Sequence, residues 1–365
     1  MERRGESIIH MEVGEPDFST PEPVLKAAQQ AIKDGLTQYT HALGLPELRE
    51  AVAAFYLSRY QQVVEPERIV ITSGASGALM LALGAIVGPD NEVLVSDPGY
   101  PCNRHFVRFV EGRARAINVD ALSAFQITLQ DLQTHWHKNT VAAMVATPSN
   151  PTGTIIPENE LEAIQQFIQQ KNGYLLVDEI YHNLIYGDQP ASAVRFNENT
   201  IVINSFSKYF SMTGWRLGWM VVPKSLIRDV EKLAQNLYIS PPTISQYAAL
   251  AAFNPQTIAI LESYRAEFKS RRDYLLPELQ RLGFKISHKP EGAFYLYANI
   301  SGLAKDSVDL AKQLLDKGKV AVTPGIDFGL NKPRQHLRFA YTTSRKNLEE
   351  GIRRIEQVLK SISRG

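Results

Sequence analysis

The sequence has few of the features that mark exported, membrane or nucleic-acid-binding proteins. Its 365 residues include one cysteine, Cys102, so no intrachain disulfide can form and a reducing compartment is expected. No apolar run is long enough to span a bilayer, and residues 1–7 lack the apolar core of a signal peptide. The 39 basic and 38 acidic residues give a net charge of +1, which provides no general attraction for nucleic acid or an anionic membrane. The composition therefore favours a cytoplasmic protein that binds neither.

What the sequence does contain is a series of short apolar runs separated by helical patterns. The runs lie at residues 68–72, 92–96, 141–145, 173–177 and 201–203. Near-continuous apolar strands that alternate with helices predict an α/β fold with a mostly parallel sheet covered by helices on both faces. Each run ends in a polar or glycine-rich cluster. Because ligands of such sheets bind at the carboxyl ends of the strands, these clusters are expected to converge on one site.

The pattern changes after about Phe253 and predicts a second, smaller α+β domain. Its expected elements are a long amphipathic helix, a strand, a helix, two strands and a closing helix, at 255–282, 292–297, 307–317, 320–322, 337–340 and 345–361. The N-terminal segment is expected to pack against this domain. The predicted division is a large domain at 35–254 and a discontinuous small domain formed by 1–34 and 255–365, with a cleft between them.

The most informative segment is Ser205-Phe206-Ser207-Lys208, which follows the last of these apolar runs. A lysine among small hydroxyl residues at the end of a buried strand is a candidate Schiff-base lysine, since burial or a nearby cation makes its amine nucleophilic. Arg216, in the segment Gly214–Trp219, could hold a phosphate while Lys208 holds an aldehyde. The ordinary alternative is that Lys208 is a solvated surface lysine. The polar clusters at the ends of the other strands make this alternative less favourable, because they could supply the remaining contacts of one cofactor.

Three of these clusters are turns that could contact different parts of one phosphorylated cofactor. The Ser73–Gly77 turn lies between a strand and a helix, where backbone N–H groups suit a phosphate, although such turns are common. In the turn at residues 147–153, Asn150 could donate a hydrogen bond to a ring hydroxyl. Tyr100 follows another strand and could stack on a flat ring or simply pack.

Asp178 ends the apolar run 173–177, where a carboxylate is costly to bury unless it meets a cation. A protonated pyridine nitrogen would be such a cation, and Tyr181 could then bind the phenolic oxygen of the same ring. A metal site on Asp178 and Glu179 is disfavoured, because adjacent strand residues point to opposite faces. The segment His135-Trp136-His137 lies in a polar stretch with no further ligand nearby, so no metal site is predicted.

Together these segments resemble the fold-type I, class I aminotransferases that depend on pyridoxal 5′-phosphate (PLP). The resemblance extends from Gly14-Glu15-Pro16-Asp17-Phe18 to Leu337-Arg338-Phe339-Ala340. It implies a seven-stranded type of sheet, PLP as cofactor, an α-amino acid and a 2-oxo acid as substrates, and a homodimer with shared active sites.

The resemblance also implies a role for each candidate residue. Lys208 forms the Schiff base and later carries the proton, Asp178 pairs with the pyridinium nitrogen, and Arg338 binds the substrate α-carboxylate. The other expected cofactor contacts are Ala75, Ser76, Ser205 and Arg216 at the phosphate, Asn150 and Tyr181 at the ring oxygen, Tyr100 on the ring, and Tyr39 at the phosphate across the dimer interface. Gly14 and Asn150 complete the substrate site.

The substrate side chain is expected to be neutral. Dicarboxylate-specific relatives place a basic residue in one of two positions, but here Gln235–Pro242 has none and Ser76 occupies the other position. Residues 237–239 are instead expected to form a mainly apolar wall, and Arg4 or Arg195 could still admit glutamate as a second substrate. Alternatives are an aspartate aminotransferase, a PLP-dependent C–S β-lyase, or a non-catalytic PLP sensor, although the few residues before Gly14 are not expected to form the DNA-binding module that a sensor needs.

Overall fold

The computed structural model describes residues 1–196 and 199–362, which form twelve β-strands and eleven α-helices. The strands are β1 (Ile9–His10), β2 (Ile69–Thr72), β3 (Glu92–Asp97), β4 (Arg113–Asn118), β5 (Thr140–Ala146), β6 (Tyr174–Asp178), β7 (Thr200–Ser205), β8 (Gly218–Val221), β9 (Tyr295–Asn299), β10 (Val320–Ala321), β11 (Thr323–Pro324) and β12 (His336–Ala340). The helices are α1 (Glu22–Lys33), α2 (Pro46–Tyr60), α3 (Gly74–Ile86), α4 (Cys102–Phe109), α5 (Leu129–His135), α6 (Glu158–Gln170), α7 (Ile227–Leu237), α8 (Thr243–Leu250), α9 (Pro255–Arg281), α10 (Ser307–Gly318) and α11 (Arg345–Ile362).

The main sheet has seven strands in the order β2-β8-β7-β6-β5-β3-β4. Neighbouring strands from β7 to β4 are parallel, while β8 runs antiparallel to both β2 and β7. The prediction of a mostly parallel α/β sheet is therefore confirmed. All the carboxyl ends of the parallel strands lie along one edge of the sheet.

Both faces of this sheet are buried, which explains the near-continuous apolar runs in the sequence. Ile69 and Ile71 pack into one apolar core, whereas Val70, between them, packs into a second core on the opposite face. Helices α3 and α7 cover the face that carries Val70, and α2 and α6 contribute to the other core. The alternation follows from the two-residue period of a strand.

The C-terminal part of the chain forms a smaller antiparallel sheet, β11-β12-β9, with helices α9, α10 and α11. The N-terminal strand β1 pairs in parallel with β10, with Ile9 opposite Val320. Helix α1 instead packs along α8, and the Thr20 hydroxyl donates to the Ser211 carbonyl at 2.8 Å. None of the described helices combines the length and the apolar character needed to cross a membrane.

Candidate active site

The polar clusters at the strand ends line one cavity of about 430 Å³. Tyr100 follows β3, Asn150 follows β5, Asp178 ends β6 and Ser205 ends β7, so the parallel topology brings all four to the same edge. The cavity is lined by every predicted site residue except Tyr39, namely Gly14, Ala75, Ser76, Tyr100, Asn150, Asp178, Tyr181, Ser205, Lys208, Arg216 and Arg338.

Lys208 lies in the turn between β7 and β8, with its Nζ facing the cavity. Its ammonium donates to the Gly14 carbonyl oxygen at 2.7 Å and lies 5.9 Å from the centre of the Tyr181 ring. Removal from water lowers the pKa of Lys208 to about 8, and the nearby carboxylate of Glu15 partly opposes that shift. An appreciable fraction of this amine is therefore uncharged near neutral pH, as a nucleophile or base requires.

Asp178 is buried, with 5% of its surface exposed, and its Oδ1 accepts a hydrogen bond from the Ile180 N–H at 3.0 Å. Burial raises the pKa of this carboxyl to about 6, and the charge of Lys208 offsets only part of the shift. Among the described residues no basic side chain forms an ion pair with it. The carboxylate is thus placed to bind a cation that enters the cavity.

The opposite end of the site is suited to an anion. Helix α3 begins at Gly74 with no side-chain cap, so the N–H groups of its first turn, including those of Ala75 and Ser76, face the cavity region without a capping acceptor. Gly74 has a φ of +72°, and a Cβ there would lie 2.7 Å from Nη2 of Arg216. The glycine therefore lets the guanidinium approach the helix N-terminus closely.

The Ser205 hydroxyl completes this end of the cavity. It accepts from the Ser207 N–H at 3.1 Å and donates to the Ser207 Oγ at 2.9 Å. Positive charge, backbone donors and hydroxyls thus converge where the sequence predicts a phosphate.

Arg338, in the middle of β12, is 7% exposed. Its Nη1 donates to Asn150 Oδ1 at 2.9 Å and its Nη2 donates to the Glu12 carbonyl oxygen at 2.6 Å. The buried Nε has no hydrogen-bond partner within the described part of the chain. Since an unpaired buried donor is costly, this guanidinium has capacity for an incoming carboxylate.

Tyr295 is a cavity residue that the sequence analysis missed. Its hydroxyl lies 2.8 Å from the Tyr181 hydroxyl, and the Arg338 guanidinium lies 4.3 Å from its ring centre. The segment Gly292–Tyr297 reads only as a buried strand, and no pattern within it distinguishes the tyrosine that faces the site. Other unpredicted lining residues are Val13, Glu15, Leu79, Ala146, Pro148, Ile180, Ser207 and Thr213.

Several expected contacts lie elsewhere in the chain. Tyr39 is 76% exposed and outside the cavity, and Leu237 and Ile239 are 53% and 49% exposed. Residues 237–239 therefore do not line the cavity of their own chain, and the expectation that they wall a substrate pocket stays a prediction about the neighbouring subunit's site. Neither Arg4 nor Arg195 lines the cavity. Arg4 pairs with Glu6, and Arg195 pairs with Glu158.

Two further features of the chain do not form a comparable site. Another cavity, of about 470 Å³, is lined by Phe125, Tyr297 and His336 among others, but it contains none of the predicted residues and no buried acid–base pair. No group of three or more histidine, cysteine, aspartate or glutamate side chains in residues 1–196 and 199–362 is placed to hold a metal ion. His137 instead pairs with Glu92 at 2.8 Å.

Comparison with known proteins identifies the family to which the chain belongs. Residues 6–355 match the model of the family described as aminotransferase class I and II. The chain belongs to this family. It is therefore a PLP-dependent aminotransferase of fold type I.

Relatives with different names match almost the full chain. The (5-formylfuran-3-yl)methyl phosphate transaminase of Methanocaldococcus jannaschii is 38% identical over 98% of this chain and 93% of its own. The valine–pyruvate aminotransferase of Mycobacterium tuberculosis is 38% identical over 97% and 92% of the two chains. Among solved structures, aspartate aminotransferase from Thermus thermophilus with maleate has a TM-score of 0.93 at 36% identity, covering 98% of this chain and 93% of that one.

The residues of the cavity fit PLP. Three of its features await partners that this cofactor and its substrate would supply: the uncapped first turn of α3 beside Arg216, the buried carboxylate of Asp178, and the unpaired Nε of Arg338. A phosphate, a pyridinium nitrogen and a substrate carboxylate match them in charge and in hydrogen-bonding character.

Proposed function

We propose that this aminotransferase moves the amino group of a neutral α-amino acid to a 2-oxo acid, and that the residues predicted from the sequence act as follows. Bound PLP supplies an electron sink for negative charge that develops at the substrate α-carbon. Lys208 holds the cofactor covalently and, once released, moves the α-proton through its Nζ. Its lowered pKa supports this role, because a base is most effective when its pKa lies near the working pH.

Asp178 and the anion-binding end of the cavity hold the cofactor from opposite sides. The buried carboxylate keeps the pyridine nitrogen protonated, and this proton strengthens the electron sink. Ser205, Arg216 and the first-turn amides of α3 bind the phosphate. Asn150 and Tyr181 bind the ring oxygen, and Tyr100 packs against the ring.

Arg338 positions the substrate through its α-carboxylate. A guanidinium binds a carboxylate through two parallel hydrogen bonds, which fixes the orientation of the α-carbon. Asn150 already accepts from Nη1 at 2.9 Å, so it also sets the plane of the guanidinium. Gly14 allows the N-terminal segment to lie directly against the site, because a Cβ there would overlap the Tyr295 hydroxyl.

The preference for a neutral substrate side chain is supported by the small number of basic residues that line the cavity. Only three basic side chains of the described residues line it, namely Lys208, Arg216 and Arg338, and each has a role toward the cofactor or the α-carboxylate. The additional lining carboxylate, Glu15, accepts a hydrogen bond from the Thr213 hydroxyl and would repel a second substrate carboxylate. A distal carboxylate would therefore be desolvated without a partner, which is costly.

We also propose a homodimer in which Tyr39 reaches the phosphate of the partner's site. Tyr39, Leu237 and Ile239 are exposed, and the Thr243 hydroxyl donates to the Gln38 carbonyl at 2.7 Å, which brings the Tyr39 loop beside the segment that follows α7. Exposed aromatic and aliphatic side chains on neighbouring segments are typical of an interface.

The division into domains at 35–254 and at 1–34 with 255–365 stays a proposal. Pairing of β1 with β10 supports placing the first strand with the C-terminal part. Packing of α1 on α8 supports moving the first boundary to a position between Gly14 and Glu22. A cytoplasmic location is likewise proposed, and it rests on the single cysteine.

Two measurements test the proposed function. Lys208→Ala is expected to abolish visible absorbance from bound PLP and its borohydride-reducible attachment, while the protein keeps its fold by circular dichroism. In the second measurement, kcat/KM is compared across alanine, valine, methionine, phenylalanine and aspartate as donors, with pyruvate and 2-oxoglutarate as acceptors. A value for aspartate above those of all neutral donors would contradict the substrate proposal, and release of ammonia with pyruvate from a thioether amino acid would indicate a lyase.

A further inference from the structure

Tyr295 contacts both Arg338, the proposed carboxylate-binding residue, and Tyr181, a proposed cofactor-binding residue. It begins β9 opposite Ala340, so it lies on the same face of the small sheet as Arg338, two residues before Ala340. Its ring is buried beneath the Arg338 guanidinium, 4.3 Å from ring centre to Cζ. One side chain thus supports the group that binds the substrate carboxylate.

The Tyr295 hydroxyl points toward Tyr181, which is proposed to bind the ring oxygen of the cofactor. It lies 2.8 Å from the Tyr181 hydroxyl, and it faces Gly14, where any Cβ would overlap it. Within the described part of the chain, the Tyr181 hydroxyl is its one recorded hydrogen-bond partner. Burial raises the pKa of Tyr295, so the hydroxyl stays protonated and can donate.

Two neighbouring hydroxyls share their protons in only two ways. If Tyr181 donates to Tyr295, the Tyr181 proton is no longer available to an acceptor in the cavity. If Tyr295 donates to Tyr181, the Tyr181 proton is free for such an acceptor, and accepting one hydrogen bond makes a hydroxyl a stronger donor. Only the second arrangement leaves Tyr181 able to donate, so an electron-rich ring oxygen held by Tyr181 would favour it.

Building on the proposed function, we propose that Tyr295 is a positioning residue that links the two halves of the site. Its hydroxyl directs the Tyr181 proton toward the ring oxygen of PLP, and its ring holds the Arg338 guanidinium in place for the substrate carboxylate. The two actions are carried by different atoms, so they can be separated by substitution.

Tyr295→Phe removes the hydroxyl and keeps the ring. A donor at the ring oxygen stabilises negative charge there, so weakening it should raise the pH midpoint of the visible absorbance of bound PLP by about 0.5 unit. The apparent Kd of a 2-oxo acid, measured by quenching or spectral titration, should change less than about twofold, because Arg338 keeps its support.

Tyr295→Leu removes the ring as well. The Kd of the 2-oxo acid should then rise by about tenfold, in addition to the shifted midpoint. Tyr297→Phe is the matched control: Tyr297 lies two residues further along β9, stacks on His336 at 4.7 Å and does not line this cavity, so it should change neither quantity.

These measurements distinguish a failure of the role proposed for Tyr295 from a failure of the proposed function. An unshifted midpoint in Tyr295→Phe, or an unchanged Kd in a Tyr295→Leu protein that melts cooperatively, would overturn the role of Tyr295. If Lys208→Ala retained a borohydride-reducible cofactor, the proposed function itself would fail, whatever the Tyr295 variants did. Should Tyr295→Leu not fold, the midpoint in Tyr295→Phe still decides the first action.

Discussion

At Lys208, the groups that surround the amine determine how much it costs to charge the side chain. The amine loses water on entering the cavity, and two arginines, Arg216 and Arg338, add repulsion, whereas Glu15 and Asp178 favour the ammonium. Loss of water has the largest effect, so the pKa falls. The surroundings of Lys208 in the fold, and no feature of the lysine itself, therefore favour the uncharged form of the amine that a nucleophile requires.

A pH profile should reveal this lowered pKa. The rate at which PLP attaches covalently to the apoenzyme should rise with pH and level off above about 8, because the uncharged amine attacks the aldehyde. Glu15→Gln should move the midpoint to lower pH, since it removes an anion that stabilises the ammonium. Stopped-flow absorbance across pH 6–10 measures both. A midpoint near the ordinary lysine value of 10.5 would contradict the burial argument.

Asp178 should make the stability of the apoenzyme depend on pH. Burial raises its pKa from 3.8 to about 6, and a raised folded-state pKa means that stability is lost as pH rises through that value. Asp178→Asn should consequently be more stable than the wild-type apoenzyme at pH 8, by roughly 1–3 kcal/mol, with little difference below pH 4. Urea unfolding at several pH values measures the difference.

Binding of PLP should remove the stability advantage that Asp178→Asn has in the apoenzyme. If Asp178 pairs with the pyridinium as proposed, the wild-type holoenzyme gains a stabilising ion pair that Asp178→Asn cannot form. The variant should then lose a factor of roughly 10²–10⁴ in kcat. A stability difference between the two apoenzymes that does not vary with pH would show that Asp178 is already neutralised by another group.

Among the secondary-structure elements, those buried on both faces were the most predictable. Strands β2, β3, β5, β6 and β7 coincide with the apolar runs, and α9 is one helix as expected. Strand β4, one of the two edge strands, is not predicted because its sequence, Arg113–Asn118, is largely exposed and has no continuous apolar run. Strand β8 is not predicted because its first two residues, Gly218 and Trp219, belong to the arginine-bearing segment Gly214–Trp219.

The candidate site was predictable to the extent that its residues follow strands. Tyr100, Asn150, Asp178 and Lys208 each lie where a predicted strand ends, so the topology alone brings them together. Tyr295 could not be identified, since its place in the site depends on the register of β9 with β12 across more than forty residues of chain. Contacts between sequence-distant strands leave no local pattern.

Asp97, at the end of β3, and residues 330–331, before β12, form a seam between the two sheets whose contribution to stability can be measured. Asp97, the last residue of β3, is 5% exposed and accepts from the Leu330 N–H at 2.8 Å and the Asn331 N–H at 3.2 Å. Asp97→Ala should destabilise the protein by about 2–3 kcal/mol, because partly buried donors lose a charged acceptor. Asp188→Ala, at an exposed loop position, should change stability by less than about 0.5 kcal/mol in the same urea titration. Equal effects of the two substitutions would show that the seam contributes nothing specific.

For the molecule as a whole, the single chain presents a nearly complete site. Every predicted ligand except Tyr39 lines the cavity, and Tyr39 is directed to solvent with 76% of its surface exposed. An exposed tyrosine that gains nothing from its own fold is well suited to a role in an assembly. We expect a two-fold dimer that buries roughly 2,000 Å² or more in total, which sedimentation at micromolar concentration would detect.

Mixed dimers can decide which subunit's site Tyr39 serves. Tyr39→Phe should weaken PLP binding by about tenfold, because it removes one hydrogen bond to a charged phosphate. In a purified heterodimer of Lys208→Ala and Tyr39→Phe chains, the one site that keeps its lysine belongs to the Tyr39→Phe chain. If Tyr39 acts across the interface, that site receives an intact tyrosine from the Lys208→Ala chain, so its Kd for PLP should equal the wild-type value. A Kd as weak as that of the Tyr39→Phe homodimer would place the tyrosine in its own subunit's site and contradict the shared-site arrangement.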